Sequence, residues 1–137
     1  MRRAIPLLLA FALVAAGTAP LGAQQPAATA PSPLKRTILG QHPLTAQGRD
    51  GVQASVELAA GAVAPRHTHA GEEMGFILEG SGVIEVAGKD PQPIKPGDAF
   101  FIPANTPHLV RNTGTTTIKL VAVYVVETGK PLATPAP

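Results

Sequence analysis

The chain has 137 residues, is 45% hydrophobic but only 4% aromatic, and contains no cysteine. That length suits one globular domain, and the missing cysteines exclude disulfides, thiolate ligands and thiol nucleophiles. The formal charge of +2 disappears once Arg2 and Arg3 are assigned to a leader, and no basic stripe with interleaved aromatics remains that would bind nucleic acid.

Residues 1–23 place Arg2 and Arg3 before the apolar run IPLLLAFALVAA and a small-residue stretch ending at Ala23. This is the layout of a secretory signal peptide, with an apolar run too short to span a membrane comfortably. It predicts cleavage after Ala23, with Gly17 as the alternative site, a periplasmic or secreted protein, and no stable membrane anchor after cleavage. The arginine pair directly follows Met1 with no serine or threonine before it, which is thin support for twin-arginine export. Residues 24–34, opening QQPAATAPSP, read as a disordered spacer, and residues 128–137 read as a flexible tail.

Between them, residues 35–127 are rich in strand signals. Val52, Ala54, Val56 and Leu58 alternate with Gln53, Ser55 and Glu57, the period of a half-buried strand. Further strands are predicted at 74–79, 82–86, 99–102, 108–111 and 115–126, with Glu79-Gly80-Ser81-Gly82 as a tight hairpin turn. No segment carries a helical stripe. The pattern predicts an all-β sandwich or barrel.

The chemistry concentrates in 61–80, GAVAPRHTHAGEEMGFILEG. His67 and His69 share one face of a strand, and Ala70-Gly71 can turn the chain so that Glu73 returns to the same centre. Two imidazoles and a carboxylate suit a divalent transition metal. An H-x-H pair also occurs on solvated strands, so the pair alone does not decide. Glu73 is preferred to Glu72 because it shares parity with Gly75 and Ile77.

A second stretch, 97–112, reads GDAFFIPANTPHLVRN. Together the two stretches resemble the paired motifs of the cupin family: G-x5-H-x-H-x3-E-x6-G at Gly61, His67, His69, Glu73 and Gly80, and G-x5-P-x-G-x2-H-x3-N at Gly97, Pro103, His108 and Asn112. The one departure is Asn105, where the motif has glycine. Asparagine tolerates a left-handed backbone best among the other residues, so the turn should survive. The resemblance implies a jelly-roll β-barrel, or double-stranded β-helix, holding a metal through His67, His69, Glu73 and His108.

Such a set leaves an ion with open coordination positions, and Fe, Mn, Ni, Cu or Zn would all be accepted. The resemblance implies a dioxygenase-like oxidoreductase acting on a small oxygenated molecule, with Glu73 doubling as the catalytic base. The alternatives are a binding protein without turnover and a barrel with a purely structural metal. Strand parity places Gly75, Ile77, Phe101, Val110 and Asn112 around the substrate, with Val83 and Leu120 nearby and Gly75 leaving empty space beside Glu73. His42 reads as a loop residue, and Arg66 and Arg111 as surface residues. The Met74, Phe76, Leu78 face and the apolar run at 121–126 predict a homodimer.

Overall fold

The computed structural model describes residues 32–137, so the expected signal peptide and most of the expected spacer lie outside the described residues. The described part is all strand and turn: β1 (Leu34–Pro43), β2 (Arg49–Leu58), β3 (Val63–Thr68), β4 (Gly71–Glu79), β5 (Gly82–Val86), β6 (Gln92–Ile94), β7 (Ala99–Ile102), β8 (His108–Arg111), β9 (Ile118–Glu127) and β10 (Thr134–Pro135). Two five-stranded antiparallel sheets result, in the orders β1-β2-β9-β4-β7 and β10-β3-β8-β5-β6. They face each other as a jelly roll. The core between them follows from alternation. Val52, Ala54, Val56 and Leu58 of β2, Ile84 and Val86 of β5, and Leu120, Ala122, Tyr124 and Val126 of β9 are all buried. Each fully buried large aliphatic side chain stabilises the fold by about 2 kcal/mol.

Several details differ from the sequence expectations. β1 runs from Leu34 and takes in His42, which is therefore an exposed strand residue and not part of a loop. The turn at Glu79 to Gly82 joins the two sheets instead of closing a hairpin, since β4 pairs with β7 and β9 while β5 pairs with β6 and β8. Gly80 makes that crossing at φ 76°, where a Cβ would lie 2.6 Å from the Thr117 carbonyl oxygen. The segment 128–137 is held in place: Thr134 and Pro135 pair with Thr68 and His67 of β3, and Ala136 N–H donates to Arg66 O at 3.1 Å. Asn105 sits at φ 57°, the left-handed turn its position requires.

Candidate metal centre

β3, β4 and β8 supply the centre. Antiparallel pairing sets His67 directly opposite His108, with ring centroids 4.3 Å apart. The pairing slips between Ala64 and His67, and this bulge lets Ala64 and His67, three residues apart, both face the interior. His69 follows the end of β3 and is 2% exposed. Gly71 then starts β4 so close to β9 that a Cβ there would lie 1.9 Å from the Val125 carbonyl oxygen. Two residues later Glu73 faces inward, paired within its own sheet with Tyr124 of β9 and Ile102 of β7.

The ligand atoms of His67, His69, Glu73 and His108 all lie within 4.8 Å of one another. Each imidazole is fixed from behind. His67 Nδ1 bonds Pro65 O at 2.7 Å, His108 Nδ1 bonds Thr106 O at 2.9 Å, and His69 Nδ1 bonds Leu132 O. A carbonyl oxygen can only accept, so each Nδ1 carries the hydrogen and each Nε2 keeps its lone pair. His69 Nε2 and His108 Nε2 both come to 3.0 Å from Glu73 Oε2. All three atoms are buried, and none is in a hydrogen bond. Electron pairs turned on one point at that distance repel, and a cation at the point relieves them. The residues therefore fit a divalent metal.

Titration favours the same occupant. Burial pushes the His67 imidazole down to about 4 against the bond to Pro65 and the Glu73 carboxylate, with the neighbouring His108 and His69 acting in the same direction as burial, so the ring is neutral and ready to ligate. Burial by itself raises the Glu73 carboxyl, but hydrogen bonds and charge from the facing His108 and His69, when their rings are protonated, outweigh burial and lower it to about 2.

The pocket beside the centre is narrow, with a cavity of ≈ 30 Å³. His67, Glu73 and His108 form one wall, and aliphatic side chains such as Val56, Ile84 and Leu120 form much of the rest. Val110 and Leu120 line it as expected. The five other expected residues lie elsewhere. Ile77 is sealed in the core and Phe101 is 52% exposed on the outer face; Phe100 is the ring that lines the pocket, because register sets it opposite Gly75. The space over Gly75 is not empty, since a Cβ there would lie 2.0 Å from Phe100 Cζ. Asn112 is structural: its Nδ2 donates to Leu58 O at 2.9 Å and Thr116 O at 2.8 Å, and its Oδ1 accepts from Gly114 N–H at 3.0 Å. Val83 also gives way to its neighbour Ile84. Arg66 and Arg111 pair with Glu85 on the surface at 3.6 and 2.8 Å.

Two polar residues in the pocket went unread. Arg36 of β1 and Tyr124 of β9 both line it, the guanidinium carbon lying 5.9 Å from the Tyr124 ring centre. Burial raises the Tyr124 phenol, with the Glu73 carboxylate adding to the effect. The only tyrosine in the chain, at an inward parity in an aliphatic strand, was the available signal for Tyr124. Arg36 had none beyond a charge two residues from Leu34.

The family described as Cupin domain matches residues 54–124, just over half of the chain. The chain is 40% identical over 73 residues to the oxalate-binding protein of Thermotoga maritima, a match covering 53% of this chain and 60% of that protein. It is 39% identical over 56 residues to dimethylsulfoniopropionate lyase DddQ of Ruegeria pomeroyi, covering 41% of this chain and 28% of that one. The crystal structure of that lyase aligns at a TM-score of 0.58 with 27% identity, over 63% of this chain and 43% of the lyase chain. A double-stranded β-helix protein from Klebsiella pneumoniae aligns at a TM-score of 0.62, over 76% of this chain and 87% of its own, and at 16% identity it speaks to the fold alone. The chain thus spans less than two thirds of the length of the curated relatives it matches.

Proposed function

This chain belongs to the cupin family, and from that premise we propose that it holds a divalent transition metal through His67, His69, Glu73 and His108 and binds a small oxygen-donor molecule at the open coordination positions. The observation that carries this is the set of buried, unpartnered electron pairs of His69, His108 and Glu73 turned on one point. A bound ion would supply Lewis-acid polarisation, or activation of dioxygen if it is redox-active. The chain supplies the rest. Backbone carbonyls hold the three rings in the ligating tautomer, aliphatic walls exclude water, and Glu73 is the one carboxylate placed to exchange a proton with a bound molecule. The pocket offers no separate nucleophile, so turnover would depend on the ion, and a dioxygenase-like reaction remains our proposal for its class. Binding without turnover is the second reading, favoured by the likeness to a protein named for binding oxalate.

Metal analysis of protein purified without chelator tests the centre. Near-stoichiometric metal in the parent and less than about a tenth of that in a His67→Ala/Glu73→Ala double variant is the expected result; equal metal in both sinks it. Oxygen uptake by the loaded protein with oxygenated substrates then separates turnover from binding.

Two further proposals concern the whole molecule. Residues 1–23 direct export, which N-terminal sequencing of the mature protein checks. The outer sheet face of Met74, Phe76, Leu78 and Phe101, all exposed, pairs two copies of the chain, and a monomeric mass in solution would contradict this.

A further inference from the structure

Arg36 differs from the other described arginines. Arg66 and Arg111 share Glu85, and Arg49 donates to Ala70 O at 3.5 Å. Among the described residues Arg36 is in no ion pair, and its Nε is buried without a hydrogen bond. Its side chain lines both the metal pocket and a second pocket that it shares with Pro65, His67, Ala133 and Pro135. Beside it the Tyr124 hydroxyl is also buried and in no well-formed hydrogen bond, although the Glu73 carboxylate and the Arg36 guanidinium are both near enough to act on it. A divalent ion ligated by Glu73 leaves a net charge of about +1, and Arg36 adds a second positive charge to the same apolar enclosure. A guanidinium with open N–H groups next to a hydroxyl donor matches the planar oxygens of a carboxylate.

We infer that Arg36 and Tyr124 form a carboxylate-binding subsite in the wall of the metal pocket, so that the molecule taken here is a small carboxylic acid anion whose other end reaches the ion. This rests on the metal reading above. Tyr124 stands opposite Glu73 across β4 and β9, which sets the subsite beside the ligand wall. The aliphatic lining limits the remainder of the molecule to a short apolar link.

The test is calorimetric titration of the metal-loaded full chain with two probes: malonate, which carries a second carboxylate, and acetohydroxamate, which chelates metal without one. Arg36→Gln is expected to weaken malonate by about tenfold or more while changing acetohydroxamate by less than about twofold. Arg36→Lys should recover part of the loss, because it restores the charge without the fork. Tyr124→Phe should cost malonate a few-fold, of the order of one hydrogen bond. Metal content is measured in every preparation. A metal-loaded parent that binds malonate no better than Arg36→Gln overturns the subsite, as does an equal loss for both probes. A parent without metal overturns the metal reading instead. Malonate titrated into that metal-free protein then still decides the subsite: Arg36-dependent binding supports it, and none overturns it.

Discussion

The pocket has two walls built on opposite terms. On the metal side every imidazole is anchored through Nδ1 to a backbone carbonyl of Pro65, Thr106 or Leu132, so the ligating atoms are aimed before any ion arrives. On the adjoining wall, where the Tyr124 ring packs 4.7 Å from that of His69, the Arg36 Nε and the Tyr124 hydroxyl are buried with no well-formed hydrogen bond. The contrast teaches where each wall spends its stability. Unpaired buried groups cost the fold on both sides until an occupant offsets them, but only on the metal side are they held in place by hydrogen bonds from behind.

The largest blow to the rigid wall should come from Gly71→Ala. The new methyl would meet backbone, 1.9 Å from Val125 O, and backbone there cannot give way cheaply. β4 must leave β9, taking Glu73 with it. The expected result is about 3 kcal/mol lost in denaturant unfolding, together with loss of bound metal; a normally folded, metal-replete variant would show that the close approach is not needed.

Deleting residues 129–137 is a milder cut at the same wall. It removes Leu132 O from His69 Nδ1 and β10 from His67, leaving the core strands in place. Metal affinity should fall by about 10–100-fold with an unchanged far-ultraviolet spectrum. Unaltered affinity would mean that the carbonyl behind His69 contributes nothing.

Acid should weaken the metal-free protein on this side in a defined window. Burial holds His67 at about 4 against an ordinary 6.5. Between those values the unfolded chain takes up a proton that the folded chain does not, so stability is lost as pH falls from 6.5 towards 4. Glu73, held at about 2 against 4.5, gives a loss of the same sign at lower pH. Melting temperatures of parent and His67→Gln across this range should converge as pH drops, because only the parent carries the His67 slope; parallel curves would contradict it.

The smallest expected effect belongs to the Arg36 and Tyr124 wall and has the opposite sign. Tyr124→Phe deletes a buried hydroxyl that is in no well-formed hydrogen bond, so the ligand-free protein should melt at the same temperature or slightly higher, by at most about 1 kcal/mol. A clear loss of stability would show that the hydroxyl is already satisfied and would erase the contrast between the walls.

Much of the rigid wall was legible in the residues. His67, His69 and Glu73 lie within seven consecutive positions, where alternation and one small-residue turn decide which way side chains point. β5, β7 and β8 occupy the spans expected for them, and Asn105 takes the left-handed turn. The Arg36 and Tyr124 wall was not legible. Arg36 lies on an edge strand whose sequence, LKRTILGQHP, barely alternates, and it meets Tyr124 only because β1, β2 and β9 are neighbours in one sheet. β10 was hidden in a proline-rich segment that holds its place through pairing with β3.

The choice between Phe100 and Phe101 shows the same divide. Adjacent and chemically identical, they are separated by register alone: Phe100 opposes Gly75 and turns inward, while Phe101 opposes Met74 and turns out. By itself the sequence carried the all-β class through period-two alternation, the candidate ligand set through its resemblance to the two cupin motifs, and the left-handed turn at Asn105 through residue type. Tertiary structure decided the bulge before His67, the anchor behind His69 and the company of Arg36. These depend on which distant strands pair and in what register, a choice made by the summed packing of the whole barrel that no local stretch encodes.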